Sequence, residues 1–256
     1  MTYFNQHPNT LYRFGNNEQP ILFQDLSRYA DVLDQIKDDV SVYEEFTIIE
    51  NMRADQISQR LYGTPNLHWT FYLLNDKLRE QGWPLSEVDL LAECKKDFPN
   101  TALVTATDII SKQTNAVTGI TKDRIIPGAT ITGQNSGASG VVDHRHVELG
   151  LVVVKGTQAF TAGETAVLSS DTSVSMIITS VVEEHLSTHH WENASGTYVD
   201  LIGSNGIVDI TGGASNVEVT QIDNFRVVNN NLKTIKVLKR DVVGQVTSAI
   251  KAAIKS

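Results

Sequence analysis

The chain has 256 residues, of which 41% are hydrophobic and 20% are charged, and its formal net charge is -9. This composition indicates a folded chain with one large or two modest domains, and it excludes a wholly disordered one. The acidic balance argues against sequence-independent binding of DNA or RNA, which needs clustered Lys and Arg side chains.

The sequence also lacks the features of membrane and exported proteins. No basic segment followed by an apolar one opens it, and no run of about 18 apolar residues occurs in it. The single cysteine, Cys94, excludes an intramolecular disulfide and a multi-cysteine metal site. We expect a protein that is made and used without export or membrane insertion.

The first 24 residues predict an extended N-terminal arm, because Asn, Gly and Pro residues interrupt every periodic pattern there. Such an arm would pack on a neighbouring protein. Apolar residues spaced three or four apart then predict an amphipathic helix from Asp25, its N-cap, to about Val42.

Residues 45–49 predict a strand, and two short helices follow at 54–62 and about 66–75, with Gly63 as the C-cap of the first. The second helix is apolar nearly all round, so it should be buried. A third begins at Ser86, where Ser86 and Asp89 have capping-box spacing. Together with the helix before them, these elements predict a domain over residues 25–99.

The composition changes abruptly after Pro99. Thr, Val, Ile, Gly, Ser and Ala dominate up to about Val182, and short apolar runs alternate with Gly-containing turns. This pattern predicts a small antiparallel barrel or sandwich. The runs lie at 129–132, 140–142, 149–154, 165–168 and 176–182. We expect residues 100–186 to form a β-rich domain inserted into another unit.

Residues 187–256 are expected to complete that other unit. Strands are predicted near 197–202, 216–220 and 234–238, and an amphipathic helix with Val242, Val246 and Ile250 on one face closes the chain. The predicted fold class is therefore α+β.

No known catalytic motif is present in the sequence. The paired carboxylates at 38–39, 44–45 and 183–184 are adjacent, so their side chains should point to different faces rather than converge on one bond. Cys94 has no nearby histidine in the sequence and is interpreted as a structural thiol. We predict neither an enzyme nor a bound cofactor.

Five of the seven histidines lie in or at the edge of the predicted β domain: His144, His146, His185, His189 and His190. His144 and His146 alternate along a strand and would face one way, and neutral imidazole is a good ligand for zinc or nickel. Histidines in polar loops are also common, and the two groups need not meet in space. We therefore favour no metal, with these five residues as the candidate ligands if a site exists.

Residues 46–75 resemble a LysM module. The resemblance rests on a strand, a helix that ends in Tyr62-Gly63, and a second helix that contains Trp69 and ends in Asn75. Gly63 permits a left-handed turn, the two aromatic residues fill a small core, and Asn75 can satisfy backbone groups. The residues expected to define this βααβ fold are Phe46, Ile48, Ile57, Leu61, Tyr62, Gly63, Trp69, Leu74 and Asn75.

The flanking segments extend the resemblance. Gly82-Trp83-Pro84-Leu85-Ser86, the predicted helix before the module, and the stretch from Asn231 to Lys239 before the last helix are together similar to the baseplate wedge protein fifty-three family of T4-like contractile-tailed phages. This similarity covers about residues 10–98 and 188–256 and leaves the β-rich insert outside it.

The resemblance implies a structural subunit of the virion, which lies in the tail baseplate and is assembled in the host cytoplasm. It would bridge or clamp neighbouring wedge subunits, and its partners would be the wedge scaffold dimer and the sheath-like wedge component, not nucleic acid or a membrane. The interface candidates are Trp83 and Pro84 in a loop, Tyr12 and Phe14 in the arm, and Leu232, Ile235 and Val237 in the tail.

Two alternatives stay open at this point. A LysM-type protein would bind peptidoglycan, but the Gly-Asp expected before the first helix is Asn51-Met52 here, and the strand expected after the helices is replaced by the Trp83-Pro84 turn and a helix. Peptidoglycan is therefore a disfavoured partner. A tail-associated cell-wall hydrolase would instead use the β insert, with His144 and His146 at its centre.

Overall fold

A computed structural model describes residues 9–13, 19–24, 39–105, 109–110, 117–118, 125–199 and 215–255. The chain is a mixture of helix and strand, as predicted. It divides into two compact units: unit 1 comprises residues 1–86 and 228–256, and unit 2 comprises residues 87–227. The inserted unit is thus larger than the predicted 100–186, because it also takes in residues on both sides.

The elements are numbered in chain order. The α-helices are α1 (Ala54–Tyr62), α2 (Trp69–Leu74), α3 (Asp76–Gln81), α4 (Glu87–Asp97), α5 (Gln221–Asn231) and α6 (Val243–Lys255). The strands are β1 (Asn9–Tyr12), β2 (Ile21–Gln24), β3 (Tyr43–Thr47), β4 (Thr101–Thr105), β5 (Ile109–Ile110), β6 (Val117–Thr118), β7 (Thr130–Gly133), β8 (Ser139–His146), β9 (Leu151–Val154), β10 (Thr165–Leu168), β11 (Asp171–Glu183), β12 (Thr188–Glu192), β13 (Val217–Thr220) and β14 (Thr234–Leu238). Within the described ranges, no helix is both long and apolar enough to cross a membrane.

The centre of unit 1 is a two-stranded antiparallel sheet. Its two strands are far apart in the sequence, and helices lie between them. β3 pairs with β14, with Phe46 opposite Ile235. The predicted strand at 234–238 is confirmed, and the one predicted at 45–49 begins two residues earlier. In the sequence β3 is followed by α1, α2 and α3, and unit 2 is inserted between α3 and β14.

Buried apolar side chains from these elements form one cluster in unit 1. Its members are Ile48, Ala54, Ile57, Phe71, Leu78, Leu232, Ile235 and Val237. A second cluster contains Leu74, Leu238 and Val243 and packs the start of α6 against the end of β14. The core of unit 1 therefore needs both the N-terminal and the C-terminal part of the chain.

Gly63 ends α1 in the left-handed conformation, with φ 73°, and its N–H donates to the Gln59 carbonyl at 3.0 Å. The predicted C-cap is confirmed. A residue with a Cβ is strained at this φ, so glycine is required here to start the turn toward α2.

The N-terminal predictions are only partly covered by the described residues. Within the predicted arm, β1 and β2 pair antiparallel, so this part of the arm folds back on itself. Most of the helix predicted from Asp25 lies outside the described residues, and residues 40–42 at its end form a turn. Phe14 also lies outside them.

Six strands of unit 2 close into an antiparallel barrel in the order β10, β11, β4, β9, β8, β7. The predicted apolar runs fall on five of these strands, and the structure is a barrel rather than a sandwich. Alternate side chains fill the interior, among them the fully buried Ile131, Val142 and Ile178. A small barrel of this kind is filled by its own side chains.

The remaining helices of unit 2 pack on each other. Leu90 and Cys94 of α4 contact Ile222 of α5, and the rings of Phe98 and Phe225 meet edge to face at 5.8 Å. α5 is not predicted from the sequence, because its apolar spacing is weak and it ends in three consecutive Asn residues.

The start of α5 nevertheless carries a readable signal. The Asp223 N–H donates to the Thr220 hydroxyl at 3.3 Å, and that hydroxyl donates to the Asp223 carboxylate at 2.6 Å. This Thr-x-x-Asp spacing is a capping pattern.

The strand predicted at 197–202 is only partly covered by the described residues. Tyr198 forms an isolated bridge with Glu192, and residues 200–202 lie outside the described residues.

Candidate functional site

The ribbon of β1 and β2 exposes large apolar side chains. The exposed fractions are 66% for Leu11, 56% for Tyr12, 50% for Ile21, 61% for Leu22 and 42% for Phe23. Single exposed apolar residues are ordinary, but contiguous ones mark interaction sites. Tyr12, predicted as an interface residue, lies in this ribbon, and sequence reasoning missed the other four.

Trp83 packs on its own chain rather than projecting from a loop. Its indole N–H donates to the Met52 carbonyl at 2.9 Å, and its ring lies 6.2 Å from that of Phe71 and 6.0 Å from that of Tyr72. Its neighbour Pro84 is half-buried. The interface prediction for Trp83 is corrected, because the indole N–H is already bonded and the ring completes the core of unit 1.

The three interface candidates of the tail are also core residues. Leu232 is 5% exposed, Ile235 is 2% exposed and Val237 is fully buried. They pack in the same cluster as Ile57 and Phe71. The prediction that these three form a contact surface is therefore wrong, because β14 is covered by the helices of its own unit.

The residues predicted to define the βααβ unit mostly face inward. Ile48, Ile57, Trp69 and Leu74 are buried, whereas Phe46, Leu61 and Tyr62 are partly buried and pack on the same clusters. The Tyr62 hydroxyl donates to the Leu238 carbonyl at 3.0 Å. Burial raises the pKa of Tyr62 to about 12, so the phenol stays protonated and keeps this bond at any pH near neutrality.

The two predicted histidine groups are brought together in unit 2. The rings of His144 and His146 on β8 are 5.2 Å apart, and those of His189 and His190 on β12 are 4.9 Å apart. His146 lies close enough to His189 to influence its protonation. His144 also approaches Glu184 at 3.5 Å, and the fifth residue, His185, is buried 3.3 Å from Glu183.

The hydrogen bonds around His190 define the tautomers of the neutral pair. Its Nε2 lies 3.0 Å from the Glu192 carboxylate, which can only accept. Its Nδ1 must therefore accept from Nδ1 of His189, 2.7 Å away.

The histidine cluster does not have the geometry of a metal centre. Among the residues that the structure describes, no three His, Cys, Asp or Glu side chains converge so that they would hold an ion. Desolvation lowers the pKa of His146 and of His189 below 6.5, and neighbouring histidines lower both further. The pKa of the buried His185 is lowered by desolvation as well. Burial therefore favours the neutral form of His146, His185 and His189.

The candidate catalytic groups are separated or already satisfied. Glu44 and Glu45 are exposed neighbours on β3, and Asp38 lies outside the described residues. Glu184 is buried and accepts the Asn100 N–H at 2.9 Å. Burial, with a smaller effect of Asp97, raises the pKa of the Cys94 thiol, which disfavours the nucleophilic thiolate.

Sequence reasoning missed Glu164, which organises one end of the barrel. Its buried carboxylate accepts the N–H groups of Asn135 at 3.1 Å, Ser136 at 2.9 Å and Thr161 at 2.6 Å, and also the Ser136 hydroxyl at 2.8 Å. Burial opposes ionisation, but these bonds outweigh it and lower the pKa to about 2. All its partners belong to turns, so its role is to hold two turns together.

A scan against protein-family models and a search of curated proteins find no match to this chain.

Proposed function

We propose that unit 1 is a LysM-like module turned to protein contacts, and that the chain is a structural component of a contractile-phage tail baseplate wedge. It would bridge or clamp neighbouring wedge subunits during assembly in the host cytoplasm. The sequence resemblance supports this proposal through the Tyr62-Gly63 turn, Trp69 and Asn75. In unit 1, α1 and α2 follow β3, and the later strand β14 pairs with β3, which is consistent with the proposal; the third helix, α3, is additional to the βααβ pattern.

One observation favours a protein as the ligand of unit 1 over a sugar: its aromatic side chains point inward. Trp69 is 8% exposed, and the Trp83 ring lies against Phe71 and Tyr72 with its N–H bonded to Met52. A sugar platform presents aromatic faces to solvent so that the ring carbons can stack on them. Unit 1 instead exposes aliphatic and aromatic side chains on its ribbon, which suits a protein partner.

The cell-wall hydrolase alternative has less support. It requires His144 and His146 to act with a metal or with converging carboxylates. Within the described part of unit 2 no group of side chains could hold a metal ion. No observation favours a second function over assembly.

Co-expression with the wedge scaffold dimer and the sheath-like wedge component tests the proposal. We expect the chain to co-purify with at least one of them in a fixed ratio, measured by light scattering coupled to gel filtration. A parallel sedimentation assay with purified peptidoglycan should leave the chain in the supernatant. A chain that stays monomeric in the mixture, or that sediments with peptidoglycan, would contradict the proposal.

A further inference from the structure

Two segments of the unit 2 barrel repeat one sequence pattern: a large buried apolar residue, a glycine three positions later, and a threonine two positions after the glycine. The positions are Ile125, Gly128 and Thr130 in the first segment and Phe160, Gly163 and Thr165 in the second. Both glycines are left-handed, with φ 87° and 85°. Each threonine is the first residue of a barrel strand, β7 or β10. Two hairpins of the barrel therefore begin in the same way.

The backbone hydrogen bonds of the two hairpins also correspond. The Gly128 N–H donates to the Val142 carbonyl at 2.8 Å, and the Gly163 N–H donates to the Ile178 carbonyl at 2.7 Å. Val142 and Ile178 each donate in return to the carbonyl of the residue after the glycine, at 2.8 and 2.9 Å. The pairing register of β8 shifts directly after Val142, and that of β11 directly after Ile178. Such a bulge is a specific feature of one strand, so its recurrence at corresponding residues indicates a repeat.

The repeat extends to a third strand on each side. β9 pairs antiparallel with β8, and β4 pairs antiparallel with β11. Val154 lies opposite Val142, and Thr105 lies opposite Ile178. The strands β7, β8 and β9 form the first half of the barrel, and β10, β11 and β4 form the second half. The two halves therefore contain three strands in the same order and the same register.

Corresponding residues meet each other where the halves join. At one seam β4 pairs with β9, and Leu103 lies opposite Val152. Each of these two residues lies two positions before the end of its strand, so they correspond. At the other seam β7 pairs with β10, and Thr132 lies opposite Val167, each two positions after the threonine that begins its strand. A twofold axis produces this relation, because at a symmetric interface residue i contacts j and j contacts i.

We infer that the barrel consists of two interchangeable copies of one three-stranded half, related by an internal twofold axis. A 3-10 turn, Val147–Leu149, leads from β8 toward β9 in the first half. A 3-10 turn, Glu184–Leu186, also follows β11, but the chain then continues into β12, which is outside the barrel. β4, which precedes both hairpins in the sequence, occupies the place of the strand that would follow this turn. The relation lies within unit 2 and holds whatever unit 1 binds.

A closed barrel does not require this correspondence. Antiparallel strands can pair in any register at a seam, and a left-handed glycine is not needed before a strand. Two copies of one half explain the glycines, the bulges and both seams together. One difference between the halves is Glu164, which corresponds to Ala129 and accepts N–H groups from the β7–β8 turn. An exchange of hairpins must therefore keep a glutamate at this position.

Exchange of two core residues across the axis tests the symmetry in the full chain. Leu103→Val and Val152→Leu, at fully buried positions, should each lower the melting temperature of unit 2 by about 3 °C or more, through a cavity and through overpacking. The double variant puts the two side chains at each other's corresponding positions, so it should melt within about 1 °C of wild type. The control is the double variant Leu168→Val and Val174→Leu, because these two core residues do not correspond. It should melt no higher than the less stable of its single variants.

Exchange of a whole hairpin tests whether the halves are interchangeable. In the full chain, residues 160–178 are replaced by the sequence of residues 125–142, with Ala129→Glu in the inserted copy. We expect one cooperative unfolding transition of unit 2 and barrel amides that are protected from hydrogen exchange. The control carries the same inserted residues in scrambled order and should show neither.

Three results would overturn the inference. A Leu103 and Val152 double variant that melts as low as its less stable single variant would show that the two positions are not equivalent. Equal recovery in the Leu168 and Val174 control would mean that conserved core volume, and not the axis, explains the recovery. A grafted hairpin that is no better protected than its scrambled control would show that the halves are not interchangeable, even where the point exchange succeeds.

Discussion

The side-chain amide of Asn75 forms a two-way pair with the backbone of Lys236, 161 residues away in the sequence. Its Nδ2 donates to the Lys236 carbonyl at 2.8 Å, and its Oδ1 accepts the Lys236 N–H at 2.8 Å. The same Nδ2 donates to the Phe71 carbonyl at 2.8 Å. Asn75 thus takes the place of a neighbouring strand at the outer edge of β14 and connects that edge to the end of α2.

Asn75→Ala should destabilise unit 1. The substitution leaves up to three backbone groups without this partner, so we expect the free energy of unfolding to fall by about 2–3 kcal/mol, at about 1 kcal/mol for each hydrogen bond. Urea denaturation followed by circular dichroism measures the change. Asn66→Ala is the control, since Asn66 is exposed. An equal effect of both substitutions would show that Asn75 does not hold β14.

Gly63→Val should destabilise unit 1 through backbone strain alone. No atom lies within 4 Å of a Cβ added at Gly63, but φ is +73°, and a left-handed residue other than glycine costs about 1–3 kcal/mol. Gly244→Ala is the matched control: it also has open space and no positive φ, and it lies in α6. There alanine should raise the stability by up to about 1 kcal/mol. Thermal melts of wild type and the two variants measure both changes in stability. A melting temperature of Gly63→Val equal to that of wild type would show that position 63 is not strained.

Local patterns predicted the elements whose signals are local. α1, its Gly63 cap and five of the six barrel strands follow from residue spacing and turn residues. The pairing of β3 with β14 could not be derived in this way, because it joins segments on opposite sides of unit 2 and depends on which register buries Phe46 and Ile235. Helix α5 was missed because its signal is a capping pair and not an apolar stripe.

The candidate site was harder to predict than the fold. Exposure of an apolar side chain depends on what covers it, and sequence alone does not reveal the covering element. The alternation of Ile235 and Val237 with polar residues fits a face that binds a partner as well as a face that is buried in the core, and both residues are buried. Leu11 and Leu22 were overlooked because the segment reads as irregular, and only the observed pairing puts them together.

Two isoleucines of unit 1 differ in burial and allow core and surface substitutions to be compared. Ile235 is 2% exposed and Ile21 is 50% exposed. We expect Ile235→Ala to lower the free energy of unfolding by about 2–5 kcal/mol through lost burial and a cavity. Ile21→Ala should change it by less than about 0.5 kcal/mol, as surface substitutions do. Denaturant titration of the isolated chain distinguishes them, and comparable effects would mean that the ribbon is covered by its own chain in solution.

Glu164→Gln should weaken unit 2, since an amide replaces one carboxylate oxygen with a donor that cannot accept the N–H groups of Asn135 and Ser136. Hydrogen bonds to a charged group contribute about 1.5–3 kcal/mol, and we expect a loss of at least that size. Glu80→Gln, at an exposed site of unit 1, is the control. Because the pKa of Glu164 is lowered from 4.5 to about 2, its stabilisation is full above pH 4.5 and is lost as the pH falls toward 2. A pH-independent difference between wild type and Glu164→Gln from pH 7 to pH 2 would contradict this role.

The buried histidines should lower the stability of unit 2 at a higher pH than the protonation of Glu164 does. The pKa values of His146 and His189 are lowered from 6.5 in the folded state, so the unfolded chain takes up protons first. Above about pH 6.5 these two histidines therefore do not change the free energy of unfolding. It falls as the pH is lowered below that value. Thermal melts at pH 7.5, 6.5 and 5.5 measure the slope.

The double substitution His146→Asn and His189→Asn should flatten that slope, because neither asparagine titrates. His68→Asn, in unit 1, controls for the loss of a histidine elsewhere and should keep the wild-type slope. Two carboxylates near His146, Glu148 and Glu184, act in the opposite direction because they raise its pKa and favour imidazolium. If their effect dominated, wild type would gain stability on acidification relative to the double variant, and the interpretation that burial keeps His146 and His189 neutral would be wrong.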